Sequence, residues 1–435
     1  MTTRLRFRSL VPALLMAAVL AMPLAGCSGD DGDGPVDPPP PDPPAGGRLV
    51  PEDYPTLIDA LAAAAPGDTV SLAAGTYTVD ASLDRAVTIR ARTTGEVALT
   101  GSRLTVRAGA GAGGAVRLVG LAFSGGDTAL VVQGASDVSA DSCSFTSLVC
   151  GVLHTGSGIL DLNAVSFDAM SGGALHTVDA GRVTIDGLEV TASTAGERGV
   201  IWSRGTSDLV IRSGRLAATT AAQAVLDLET TGQVVLEDLA FEDCGPYPVR
   251  RKSGPLTMTG CRFNDLTAPA VGLGPDAATT IDACEFARST WPAIEAAGTV
   301  TLTGSAFVDG RGDGAAILVT DGAEVTIDRA TFHGAPGPWL RLGSGAVVAV
   351  SRTLVTDLAV PAIVREDLAP AQLTLDQCDL WHPSLAAWTG LEFERDAGEG
   401  NLETDPLYCD PGAWDLRLQA GSPVAGWGAF GVGCE

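Results

Sequence analysis

One spacing recurs through most of this 435-residue chain. In Val325-Thr-Ile-Asp-Arg-Ala-Thr-Phe332, apolar residues take the first, third and eighth positions and a small residue takes the sixth. Variants are Val116–Phe123, Val138–Phe145, Leu160–Phe167, Val183–Val190, Leu209–Leu216, Val234–Phe241, Leu256–Phe263, Thr279–Phe286, Val300–Phe307, Val348–Val355 and Leu373–Leu380, twelve copies in all, their last residues 21 to 26 positions apart. A period of this length with a short alternating strand in each unit specifies a solenoid, whose stacked repeats share one core. Length alone would suggest two or three domains. A solenoid lengthens without widening, so one long all-β domain is expected over residues 48–435. Only 5% of residues are aromatic and 54 are glycine, which suits short strands and tight turns rather than a helical core.

The first coil of a solenoid must be covered, or it exposes unpaired backbone and bare core. Residues 50–77 meet that need. Thr56 and Asp59 form a capping-box-like start, Leu57, Ile58, Leu61, Ala62 and Ala65 make one helical face, and Pro66-Gly67 stops the helix before a strand. In each coil a second strand follows the repeated unit, as in Gly173-Ala-Leu175, Pro269-Ala-Val271 and Pro292-Ala-Ile294.

Tyr54-Pro55-Thr56-Leu57, Pro66-Gly67-Asp68-Thr69-Val70 and Gly75-Thr76-Tyr77 together resemble the opening of right-handed parallel β-helix proteins of the pectate-lyase-like superfamily. Asn401, Asp405-Pro406-Leu407-Tyr408, Trp414-Asp415-Leu416-Arg417-Leu418 and Gly421-Ser422-Pro423 resemble the terminal segment of bacterial β-helix lipoproteins. The resemblance covers nearly all of residues 49–435. It implies a single-stranded right-handed parallel β-helix with a short N-terminal capping helix and a C-terminal cap over about 384–435.

An address precedes the fold. Arg4, Arg6 and Arg8, the apolar run Leu10–Leu20 and Leu24-Ala25-Gly26-Cys27 form an export signal whose processing site resembles the bacterial lipobox. That resemblance implies cleavage after residue 26, a lipid on Cys27 and a membrane as partner. Ser28 replaces the aspartate that resembles an inner-membrane retention signal, so the outer membrane or cell surface is expected. Residues 27–47, rich in Asp, Gly and Pro, read as a disordered tether. Loss of residues 1–26 removes three arginines and no acid, moving the formal charge from −25 to −28. Such a surface repels polyanions and excludes nucleic acid as a partner.

Cys143, Cys261, Cys284 and Cys378 all stand at the sixth position of the unit and read as small core residues. Cys150 and Cys244 are placed in turns without a clear partner. Cys409 and Cys434 lie beyond the repeats and are expected to bond in an oxidising compartment.

On the second strand, the residue after each inward Leu, Ile or Val should point outward. That row reads Val131, His154, His176, Trp202, Asp227, Arg251, Gly272, Glu295, Leu318, Arg341 and Val364. Arg250 falls at an inward position. With Arg251, Lys252, Arg198 and Arg204 it is expected to form a basic patch on an acidic rod, as an acidic sugar polymer would need.

The families this chain resembles often use arginine as the base of uronate elimination. By that resemblance Arg251 is a candidate base, with His176 and Asp227 as further catalytic candidates. Trp202 is a candidate sugar platform, and His154, His176, Trp202, Asp227, Arg250, Arg251 and Lys252 form the candidate ligand-binding set. No aspartate cluster like that of a calcium-dependent pectate lyase, and no paired-aspartate motif like that of a polygalacturonase, is found. Asp309 and Asp313 read as turn residues, and His333 and His382 as loop residues. With no nucleophile triad, phosphate loop or zinc spacing, no cofactor or metal is implied.

The leading reading is a surface-anchored β-helix lipoprotein acting as a rigid binding or structural module for glycans of the cell envelope or environment. A polysaccharide lyase, hydrolase or epimerase using the outward row, and a protein-binding adhesin, are the alternatives.

Overall fold

The computed structural model describes residues 47–107, 114–358, 363–365, 371–381, 396–397 and 400–434. The leader, Cys27, the tether through residue 46 and His382 lie outside the described residues. The remainder is a right-handed parallel β-helix, with one short α-helix among the described residues. That helix, α1 (Leu57–Ala63), begins at Thr56, whose hydroxyl oxygen accepts the Asp59 amide at 3.2 Å. It buries Leu57, Ala60 and Leu61, while Ile58 is exposed, so Ala60 takes the core place expected of Ile58.

Each complete coil contributes to three sheets rather than the two expected. The repeated unit itself turns a corner between two of them, as two strands in most coils and as one bent nine-residue strand in Leu160–Asp168, Val183–Thr191, Leu209–Ala217 and Val234–Glu242. In the type unit, Glu324–Asp328 joins a first sheet and Thr331–Ala335 a second, with Arg329 between them at φ 52°. The fifth position has positive φ in every one of the twelve units, from Gly120 (68°) through Ala164 (48°) and Asp238 (53°) to Gln377 (52°). One left-handed residue turns the chain sharply enough to start a new sheet, and the small sixth residue then points into the core.

The third sheet holds strands such as Ile294–Ala296, Ile317–Val319 and Leu340–Leu342. Successive coils pair in parallel with like above like. Val300, Val325, Val348 and Leu373 align in the first sheet, Phe286, Phe307, Phe332, Val355 and Leu380 in the second, and Ile294, Ile317, Leu340 and Ile363 in the third. Parallel in-register stacking thus buries the same positions in every coil, which is why those positions stay apolar. The phenylalanines form a ladder of stacked rings 4.6 to 4.8 Å apart from Phe241 to Phe332.

The C-terminal segment has its own course. After Leu402 pairs with Asp379, the chain returns across the outer face of the second sheet. There Tyr408, Leu416, Leu418 and Val424 pack on Ala306, Val308 and Leu354 in a second core. The Gly428 amide donates to the Arg352 carbonyl at 2.8 Å and the Ala429 amide to the Thr331 hydroxyl at 2.9 Å. A disulfide joins Cys409 to Cys434, their Cα atoms 5.4 Å apart. Cys143, Cys261, Cys284 and Cys378 are buried free thiols, as are Cys244 and Cys150. Cys150 starts the strand Cys150–His154 rather than lying in a turn.

Candidate functional site

Register corrects the row proposed on the third sheet. Leu153 aligns with His176, His176 with Trp202, Trp202 with Asp227, Asp227 with Arg250, and Arg250 with Gly272. The outward line therefore contains Leu153 and Arg250. His154 and Arg251 lie one residue further on, face inward, and have no exposed surface. Val152 and Val249 are the inward residues that set the frame in these two coils, and alternation carries their second neighbours back into the core.

Inside, His154 and Arg251 make poor chemistry. Neither ring nitrogen of His154 has a partner, and burial pushes its pKa down to about 4. Arg251 donates through Nη2 to the carbonyls of Gly232 (2.6 Å) and Pro255 (3.1 Å), while Nε and Nη1 are unpartnered and burial pushes its pKa down to about 10. No substrate outside the solenoid reaches either group.

The outward residues that remain are largely covered. The turns leading into this sheet fold over them, two contributing the small parallel pair Thr194–Ala195 and Thr220–Ala221. Trp202 is 7% exposed, with the Arg198 guanidinium 4.6 Å above its ring and His176 edge-on at 5.7 Å. His176, held below its ordinary pKa by burial, lies 3.3 Å from the Gly199 carbonyl. Arg250 clasps the buried Asp227 carboxylate with bonds of 3.0 and 2.8 Å, and Lys252 pairs with Glu229. The Tyr247 hydroxyl donates to Glu295 at 2.8 Å. Arg250 and Lys252 each meet an acid and Arg251 is buried, which takes three residues out of the expected basic patch and leaves Arg198 and Arg204.

An open cleft lies elsewhere, where the returning tail crosses the last coils. It encloses about 560 Å³, well within the roughly 300–1,000 Å³ of small-molecule sites. Its floor is one register column of the second sheet, His333, Thr356 and Trp381. Earlier coils carry Ala287 and Val308 in that column. One rim comes from the tenth position of the unit, a second left-handed residue that leads out of the second sheet. Here it supplies Asp309 (φ 49°) and Asp357 (φ 56°), aspartate being among the side chains that tolerate this conformation. Gly334 holds the same position between them, and a Cβ there would stand 2.5 Å from Asp309 Oδ1. The glycine makes room for the carboxylate.

The tail builds the opposite wall with Asp405, Tyr408, Trp414 and Gln419. Trp414 is 41% exposed, and the guanidinium of Arg288, held to Asp265 at 2.7 Å, stands 4.5 Å from its ring. His333 Nδ1 shares a 2.9 Å hydrogen bond with the buried Thr356 hydroxyl, and its ring meets Tyr408 edge-on at 5.8 Å. Burial lowers the His333 pKa against the opposing pull of Asp357 and Asp309, so the ring is neutral at pH 7. Among the described residues, three carboxylates and no lysine or arginine line this cleft. The sequence signal for it was the arrival of a histidine and a tryptophan in an outward column that earlier holds only Ser, Thr, Asp, Glu, Asn, Ala and Val.

No protein-family model matches the sequence, and no curated protein matches it. Among solved structures the chain is similar to the alginate lyase AlyF-OU02 in complex with G6, at 12% identity and TM-score 0.46 over 77% of this chain and 84% of that one. It is similar to the catalytic domain of a GH87 α-1,3-glucanase in complex with tetrasaccharides, at 11% identity and TM-score 0.47, over 78% and 69% of the two chains. A PL6 family polysaccharide lyase from Pseudopedobacter saltans is similar at 13% identity and TM-score 0.41, over 86% and 96%.

Proposed function

We propose that this chain is a rigid glycan-binding module whose site is the cleft between the last coils and the returning tail. The observation that carries the reading is that Trp381 and Trp414 line one open cleft together with Asp309, Asp357 and Asp405. Sugars present apolar ring faces and hydroxyl edges, which call for aromatic surfaces beside hydrogen-bond acceptors. Anchoring through Cys27 at the outer membrane or cell surface, by way of the 27–47 tether, belongs to the same reading.

Trp381→Ala and Trp414→Ala are each expected to weaken glycan binding about tenfold, roughly the value of one lost aromatic contact with its buried area, measured by titration calorimetry on an array-selected ligand. Trp202→Ala is expected to leave affinity unchanged, because that ring lies under Arg198. Loss of binding in Trp202→Ala with retention in Trp414→Ala would move the site back to the third sheet.

A glycan-cleaving enzyme is the second reading. A neutral His333 beside Asp309 and Asp357 places groups able to move protons within one cleft. New reducing or unsaturated ends from a polysaccharide panel, abolished in His333→Ala, would establish it over binding alone.

A further inference from the structure

Away from the cleft, two thiols meet inside the solenoid. Cys261 and Cys284 both hold the sixth position of the repeated unit, in consecutive coils. Among the described repeats no other consecutive pair carries cysteine there: Cys143 stands between Leu121 and Val165, and Cys378 follows Thr353. Register brings the pair together. Arg262 aligns with Glu285 one residue further on, and the Glu285 amide donates to the Cys261 carbonyl at 2.9 Å. Two residues on, the rings of Phe263 and Phe286 stack with centroids 4.8 Å apart.

Like positions in paired coils lie about 4.8 Å apart, inside the range of about 4.4–6.8 Å that the Cα atoms of a disulfide span. The sulfurs already interact. Their contact holds Cys261 below the ordinary thiol range against the pull of burial, and it pushes Cys284 up. Cys261 is 0% and Cys284 2% exposed, so whatever joins them must act before the coils close.

We infer that Cys261 and Cys284 are a disulfide-forming pair, joined by thiol–disulfide exchange as the chain folds, which clamps one coil to the next. One thiolate of the pair attacks the disulfide of an oxidant, giving a mixed disulfide and releasing a first thiolate. The other then attacks the protein sulfur of that mixed disulfide and releases a second. One S–S bond breaks and one forms, two electrons pass to the oxidant, and the two thiol protons go to the thiolates released. The oxidant is a low-molecular-weight disulfide or a disulfide oxidoreductase, the class that closes Cys409–Cys434.

The test refolds the full chain from reduced, denatured protein in reduced and oxidised glutathione, followed by acid quenching, alkylation in denaturant without reduction, and peptide mapping. Cys261 and Cys284 are expected in one linked pair of peptides. Cys409–Cys434 should be linked as the internal standard, and Cys143, Cys150, Cys244 and Cys378 alkylated. Alkylation of both Cys261 and Cys284 while Cys409–Cys434 is linked would overturn the pair, as would either of them joined to a different cysteine or to glutathione. Protein isolated without refolding and alkylated at lysis is mapped in the same way, so the answer does not depend on refolding yield.

Hydrogen exchange reads the clamp itself. Amide protection in Arg262–Asn264 and Glu285–Ala287 should be about tenfold higher in the oxidised chain than in the reduced one, a difference that Cys284→Ser abolishes and Cys143→Ser keeps. Equal protection in the two states, or a difference that survives Cys284→Ser, would remove the clamp.

Discussion

Phe286→Ala is expected to cost the protein about 3–5 kcal/mol, the range for removing a large buried aromatic side chain and leaving a cavity. Phe286 is 1% exposed and lies between Phe263 and Phe307, with ring centroids 4.8 and 4.7 Å away and planes within 6°. Each stacked neighbour adds about 0.5–1.5 kcal/mol beyond buried area. The ladder is continuous from Phe241 to Phe332 and ends against the tilted ring of Trp339, 4.9 Å away.

A second ladder, Phe123, Phe145 and Phe167, is separated from the first by Val190 and Leu216 at the equivalent positions. Because a solenoid's coils contact only their neighbours, the damage should begin at the substituted coil, read as hydrogen-exchange protection lost first in strands on either side of residue 286. Urea unfolding measures the total. A loss below about 1 kcal/mol would mean that the rings fill space without organising the core.

The second large effect concerns protons. His154 sits on the inward line between Val132 and Thr177, fully buried, with its folded pKa pushed down to about 4. The unfolded chain, with a histidine pKa near 6.5, takes up the proton first. Stability is therefore untouched above about pH 6.5 and is lost as pH falls toward 4, by about 3 kcal/mol in total.

Asp379 opposes it. It is equally buried, accepts the Thr404 amide at 2.9 Å, and has its pKa pushed up to about 6. Here the folded chain holds the proton more tightly, so stability falls by a comparable amount, about 3 kcal/mol, as pH rises from about 4 to 6. The two drifts largely cancel in the native protein. His154→Leu removes one of them and also relieves two unpartnered ring nitrogens, a gain of about 1–3 kcal/mol near neutral pH. The variant's advantage in thermal midpoint should widen as pH drops from 6.5 to 4. An advantage that stays constant across that range would show that the ring does not titrate in the folded state as its burial demands.

How legible was all this in the chain? The stacked coils could be read because in-register ladders force the same positions to stay apolar. The corner inside the unit could not, since the left-handed fifth position is Gly120, Ala164, Ser213, Asp238, Arg329 or Gln377 in different coils. A single strained backbone angle is written in no one residue type. The frame slipped at His154 and Arg251 where like stands beside like: Val152 beside Leu153, and Arg250 beside Arg251. Alternation has nothing to alternate there, and only pairing with neighbouring coils decides the face. The cleft was least legible, because its two walls lie up to about a hundred residues apart in sequence and meet only when the tail doubles back.

That returning tail separates two properties of the rod. The residues that line the cleft come from Asp309 onward, and Arg288 and Asp265 back Trp414. The coils before Asp265 set how far the cleft stands from the first coil. Since each coil adds one strand spacing of about 4.8 Å, inserting or deleting a whole coil among residues 116–259 would change that distance in fixed steps and leave the cleft lining alone. Such a rod can be lengthened coil by coil without any residue that lines its cleft being altered.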